Sequence, residues 1–318
     1  MDRRQLQLMR AVPLLAAMTA ATPAGAAVYQ WKDAEGRVHF SDQSPDNRAA
    51  PVIGRGAVPA TSHKTDLDFS LVAHGRPLPE DIRVRAEAGI REMVRIYRQT
   101  LRLEIRRTVV ISAHLFDDQD ALRQWASGIA RQRVGNVLGI YLVETRQVGV
   151  INFADDPEQT LKTLIHEANH VILAQMSPRS PLWLHEGLSQ YFEGLDIGNE
   201  KTVVRPHAWN DQAIRRLAAD KQLIYLHDYL AIPPDRWQQI AHQEQNALPY
   251  VVAWSLASFL MSQPNRRQLL AGMMKDLETA NIPPDLDTFA RRYPGGLPLL
   301  EYDWFKWAMQ PAVDQRLD

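Results

Sequence analysis

Strand-like alternation of apolar and polar residues is confined to the part of this chain before residue 155, and helical spacing dominates beyond it. Leu67–Ala73 and Arg107–Phe116 read as strands, and Ile140–Val143 and Val148–Phe153 as two more around the polar turn Glu144-Thr145-Arg146-Gln147. Between them, Glu80–Leu103 predicts a long helix with Ile82, Ala86, Ile90, Met93, Val94 and Tyr97 inward, and Asp118–Arg133 predicts a second. At Asp156-Pro157-Glu158-Gln159 the signals for a helix start coincide: a capping Asp, a Pro at the first helical position, and Gln159 where a capping box needs it. From Leu161 the apolar residues Leu164, Ile165, Ala168, Val171 and Ile172 follow at three- and four-residue steps. Ser180-Pro181 repeats the cap-then-proline start for a helix over Pro181–Glu193, closed by Gly194. Leu248–Met261 is the most apolar stretch outside the N-terminus; at fourteen residues it falls short of the roughly 20 a membrane span needs and predicts a buried core helix. Helices near Arg266–Thr279, Asp285–Arg292 and Leu299–Met309 close the chain, with Trp304, Phe305 and Trp307 as core. Strands first and helices after is the order of an α+β fold.

Composition narrows the function classes. The chain has 318 residues, 45% hydrophobic and 23% charged, enough to bury one or two cores. Its 36 basic and 37 acidic residues leave a net charge of −1, so no global field favours nucleic acid or an anionic membrane. There is no cysteine, so disulfides are excluded and any metal site must use His, Glu or Asp. Arg3, Arg4 and Arg10 precede the apolar run Ala11–Ala21, and Ala24-Gly25-Ala26 supplies the small residues of a cleavage site. Residues 1–26 are therefore expected to be a signal peptide for periplasmic or secreted delivery, with no transmembrane span in the mature chain. Val28–Asp42 reads as a hairpin around Asp33-Ala34-Glu35-Gly36, giving a small β module over residues 27–48. A Pro-, Ala- and Gly-rich linker over 49–66 then leads to the main domain, 67–318.

The chemistry concentrates in the first two helices after residue 155. His166-Glu167-Ala168-Asn169-His170 places two imidazoles four residues apart, on one side of a helix and one turn from each other, where both can reach one ion. Glu167 is turned about 100° from His166 and so stands beside the ion's open position, suited to take a proton from water that the metal acidifies. Glu186 follows sixteen residues after His170, and an antiparallel helix pair with a short turn can return its carboxylate over the histidines. Two neutral nitrogens and one carboxylate suit Zn2+. Gln190, one turn past Glu186, is a candidate partner for a ligand's second ring nitrogen, and His185, adjacent to Glu186, should point away from the metal.

The segment Trp183-Leu184-His185-Glu186-Gly187-Leu188-Ser189-Gln190-Tyr191-Phe192, paired with the histidine helix, resembles the gluzincin metallopeptidases of the peptidase MA-like family. The resemblance implies a zincin-like fold, His166, His170 and Glu186 as zinc ligands, and Glu167 as general base. It also implies hydrolysis of a peptide or protein substrate by metal-activated water. Tyr250, Trp254, Leu256, Phe259 and Leu260 match a further helix of that family, which implies Tyr250 as a donor to the developing oxyanion; ordinary packing at a helix start is the alternative. The hairpin residues Trp31, Asp33, Gly36, Phe40, Ser41, Asp42 and Pro45 resemble a small domain of unknown function common at the start of Gram-negative envelope proteins, which implies a location only. In zincins a sheet edge borders the cleft. Val148–Phe153 is the candidate for that edge, or else an interior strand paired on both sides. Two other readings stand beside a peptidase: a zincin-fold envelope scaffold that keeps its metal for stability, and a zinc amidase acting on cell-wall peptides.

Overall fold

The strands assemble because their apolar residues need cover, and the segments 139–142 and 147–151 are buried on both faces. In the computed structural model, which describes residues 29–32, 38–41, 67–104, 107–130, 134–135, 137–143, 145–197, 202–242, 247–279 and 290–317, they form a six-stranded sheet. The expected leader, the linker and most of the helix expected over Asp285–Arg292 lie outside these residues. The strands are β1 (Tyr29–Lys32), β2 (Val38–Ser41), β3 (Leu67–Ala73), β4 (Val109–Phe116), β5 (Gly139–Leu142) and β6 (Gln147–Ile151), in spatial order β1-β2-β5-β6-β4-β3. β3, β4 and β6 run parallel, β5 is antiparallel to β6 with Tyr141 opposite Val148, and β2 is antiparallel to β5 with Phe40 opposite Tyr141. The hairpin thus extends the same sheet.

Side chains alternate across the pleat. Ile111, Ala113, Leu115, Tyr141, Val148 and Val150 join one core with α1 (Glu80–Arg95) and α3 (Pro157–Met176). Phe116, Ile140, Leu142 and Ile151 join a second core against α2 (Gln119–Ala130). Val148–Phe153 is consequently not the cleft edge: β6 is an interior strand, bonded to β4 on one side and β5 on the other. Its run Val148-Gly149-Val150-Ile151, buried on both faces, is what an interior position demands. The strand beside the histidine helix is β5, whose outer edge carries β2.

The long helix expected over Glu80–Leu103 is α-helical only to Arg95; a π-helical turn, Ile96–Thr100, follows, and both Ile96 and Tyr97 are fully buried. Beyond α3 come α4 (Leu182–Phe192), β7 (Leu195–Ile197), β8 (Thr202–Val204), α5 (Ala208–Ala219), α6 (Leu226–Leu230), α7 (Pro234–His242), α8 (Leu248–Met261), α9 (Pro264–Thr279), α10 (Gly296–Ala308) and β9 (Gln315–Arg316). β7, β8 and β9 form a small antiparallel sheet. α8 is buried from Pro249 to Met261, as its all-round apolarity requires, and no helix among the described residues is long and apolar enough to cross a membrane. α4 lies against it at Gly187, where a Cβ would meet the Ala253 carbonyl oxygen at 2.4 Å, so only glycine allows this approach. Gly194 is likewise pressed on the backbone, with the Arg205 oxygen 2.0 Å from where its Cβ would lie.

Candidate metal centre

α3 begins where the sequence predicts, but without the return half of a capping box, since the Gln159 side chain donates to Thr163 Oγ1 at 3.2 Å. Asp156 Oδ1 accepts from the Gln159 backbone N–H at 3.0 Å, and Pro157 occupies the first turn. The helix then runs between the sheet and α4, so its polar residues at 166, 167, 169 and 170 are enclosed with the apolar ones. α4 starts without the expected side-chain cap: Pro181 is the N-cap, and the Ser180 hydroxyl donates to Ser177 Oγ instead.

The two helices are antiparallel and bring three ligand atoms together. Glu186 Oε2 stands 3.7 Å from His166 Nε2, and Glu186 Oε1 stands 3.9 Å from His170 Nε2. These gaps exceed a hydrogen bond and approach the spacing of about 3.4 Å between donors around one tetrahedral ion with bonds near 2.1 Å. His166 Nε2 has no hydrogen-bond partner, although it is buried. The ring planes of His166 and His170 cross at 73°, with centroids 4.9 Å apart. His166, His170 and Glu186 form a group whose ligand atoms all lie within 4.8 Å of one another, the one such metal-capable group among the described residues. The donor set and the bare Nε2 fit a divalent cation.

Around these ligands the surroundings are unequal. His166 Nδ1 lies 2.6 Å from Glu193 Oε1, so the ring donates there and turns its other nitrogen toward Glu186. Burial works against a charged His166, but the Glu193 hydrogen bond and charge, with Glu167 adding, together raise its pKa. Burial, then the neighbouring His166 and His185, hold His170 well below the ordinary histidine range. Glu167 is fixed by close approach of the sheet: a Cβ on Gly139, the first residue of β5, would lie 2.7 Å from both Glu167 Cγ and Oε1. All four residues, His166, Glu167, His170 and Glu186, are fully buried.

Other expected residues sit differently. His185 does not point away from the site: it is buried, its ring stacks along His170 at 5.8 Å, and desolvation brings its pKa down to about 4. Gln190 is not the outer partner of a ligand, because its Oε1 accepts from Asn210 Nδ2 at 2.7 Å; Glu193 has that role. Glu193 lies two turns past Glu186 on the same face of α4, a spacing that could have singled it out. Tyr250 starts α8 with its ring edge-on to Trp237 at 4.5 Å. Tyr229, in the stretch left unassigned by periodicity, is a second phenol of this region. Its pKa is raised first by burial and further by the charge of Glu186, while its hydroxyl donates to the Pro249 carbonyl at 2.8 Å.

The DUF1570 family model, described as a protein of unknown function, matches residues 160–283. That span includes His166, His170 and Glu186 with Glu167, Glu193, Tyr229 and Tyr250, but omits the six-stranded sheet. A second model, the DUF4124 domain of unknown function, matches residues 14–65 and covers the hairpin. A search of curated proteins found no match.

Proposed function

We propose that this chain is a zinc-dependent metallopeptidase of the cell envelope, with His166, His170 and Glu186 as ligands and Glu167 as general base. The observation that carries the reading is the buried convergence of two imidazole nitrogens and one carboxylate, with a second acidic residue, Glu167, next to His166. Zinc held there would supply Lewis acidity, lowering the pKa of water toward about 7 and polarising a carbonyl. The chain supplies the rest. Glu167, kept in place by Gly139, takes the proton of the attacking water and delivers it to the leaving amine nitrogen. Glu193 keeps His166 in the tautomer that presents Nε2. Tyr250 is the donor to the oxyanion, a role carried by the resemblance of its helix. The apolar leader directs the chain out of the cytoplasm.

A second reading, a structural metal in a non-catalytic envelope protein, is favoured by the complete burial of all four site residues, since structural zinc sites are closed. One experiment separates the two. Purified protein is analysed for metal by mass spectrometry, and wild type and Glu167→Gln are assayed on a peptide library. The peptidase reading expects about one zinc per chain in both proteins and cleavage only by wild type. Equal cleavage, or none by either with zinc retained, would leave the structural reading.

A further inference from the structure

The register between the two ligand-bearing helices is fixed by buried polar groups that are not themselves ligands. Asn169, next to His170 on α3, is fully buried. Its Oδ1 accepts from the Tyr97 hydroxyl at 2.7 Å, and its Nδ2 donates to Ser189 Oγ at 2.9 Å. Ser189 follows Glu186 by three residues on α4, and so lies on the same face one turn along. Its hydroxyl oxygen lies against the His170 ring, 3.4 Å from Nδ1 and 3.5 Å from Nε2. Tyr97 reaches the site from the π-helical turn after α1, 72 residues away in sequence, and burial raises its phenol so that it remains a neutral donor.

We propose that Tyr97, Asn169 and Ser189 form a positioning relay for the metal, holding α4 where Glu186 faces His170 and bracing the His170 ring against rotation. The proposal rests on the metal-centre reading above. The Asn169–Ser189 bond joins the neighbour of one ligand to a residue one turn from another. Any slide that carried Glu186 off His170 would therefore break it and strand two buried polar groups. Tyr97 satisfies the far side of the amide and stops it from turning over, so the relay has one orientation. At the other end of the helix pair the Glu193–His166 contact does the equivalent work with a charge, and the relay does it without one.

The test uses the full chain. Zn2+ affinity is measured by competition with a chromophoric chelator, Co2+ spectra report ligand geometry, and thermal unfolding of the metal-free protein reports the fold. Ser189→Ala and Asn169→Ala should each weaken Zn2+ binding about tenfold to hundredfold and alter the Co2+ bands. Tyr97→Phe, which keeps the shape of the ring and guards against a failure to fold, should weaken it roughly three-fold. Ser189→Thr, retaining the hydroxyl, should restore most of the affinity. If the variants bind Zn2+ as tightly as wild type and only unfold at lower temperature, the relay is a brace of the fold and the proposal is wrong. A wild type that takes up no Zn2+ would remove the metal reading and the relay together, an outcome distinct from the first.

Discussion

His166 and His170 stand one turn apart on the same buried helix, yet they are held in opposite ways. His166 has a carboxylate on its outer nitrogen and a raised pKa; His170 has a serine hydroxyl against its ring, two histidine neighbours and a lowered pKa. Burial depresses both; the difference comes from Glu193, with Glu167 adding, which raise His166, while His166 and His185 lower His170 further. A ligand pair in this arrangement has one basic, charge-supported donor and one neutral donor held by packing and hydrogen bonds. Glu167, between them in sequence, adds to the charge that favours His166 and is pressed from its other side by the sheet, at Gly139.

That third dependence gives the largest expected effect. Gly139→Ala puts a methyl group 2.7 Å from Glu167 Cγ and Oε1 and forces the carboxylate to move. Displacing a catalytic group by about 1 Å costs on the order of a hundredfold in turnover. Zinc content should be unchanged, since the atoms nearest the new methyl belong to Glu167 and Thr163. Peptide hydrolysis and metal analysis on the same preparation check both halves, and loss of metal would show that the base and the ligands are not independently placed.

Glu193→Gln attacks the asymmetry itself. The amide can still accept from His166 Nδ1 but carries no charge, and outer partners of ligating histidines contribute about tenfold to hundredfold in metal affinity. Chelator competition should show that loss, and nuclear magnetic resonance titration of the metal-free variant should show His166 falling toward the behaviour of His170. A variant whose His166 titrates as in wild type would mean that Glu193 does not set the difference.

How much of this was legible in the sequence follows the range of each interaction. The start of α3 was readable because Asp156, Pro157 and Gln159 act within one turn. The grouping of His166, His170 and Glu186 was readable because helical spacing and a short connection fix it. Glu193 was not singled out, because its contact depends on how α4 crosses α3; Tyr97 and Asn169 meet across 72 residues, and no local pattern encodes that. β6 reads from the sequence as an edge or as an interior strand, and its apolar run on both faces suits the interior place it takes. β7 and β8, three residues each, are too short for periodicity to register, and α5 to α7 fell in the same unassigned stretch. The expectation for His185 failed because sequence adjacency on α4 was taken to exclude it from the site, whereas the antiparallel crossing lays it along His170.

The smallest expected effect, and the one that separates the two histidines without any metal, is the pH dependence of metal-free stability. His170 and His185 have folded pKa values below the unfolded value of about 6.5, the latter near 4. Below pH 6.5 the unfolded chain therefore binds protons that the folded chain refuses, and stability falls with acidification. His166 has the opposite sign: its folded pKa is raised, so its contribution is fully present below 6.5 and is lost as pH rises through the folded value. Between pH 6.5 and 5, His185 alone should cost about 1.5 kcal/mol, approaching 1.36 kcal/mol per unit on the acid side, and His170 should add to that. His166 does not share in this loss while Glu193 is present. Glu193→Gln should therefore steepen the acid side of the stability curve, because a third buried histidine then resists protonation. Urea unfolding of the chelator-treated proteins at pH 7, 6 and 5 measures this directly, and parallel curves for wild type and variant would mean that the two histidines are not electrostatically distinct.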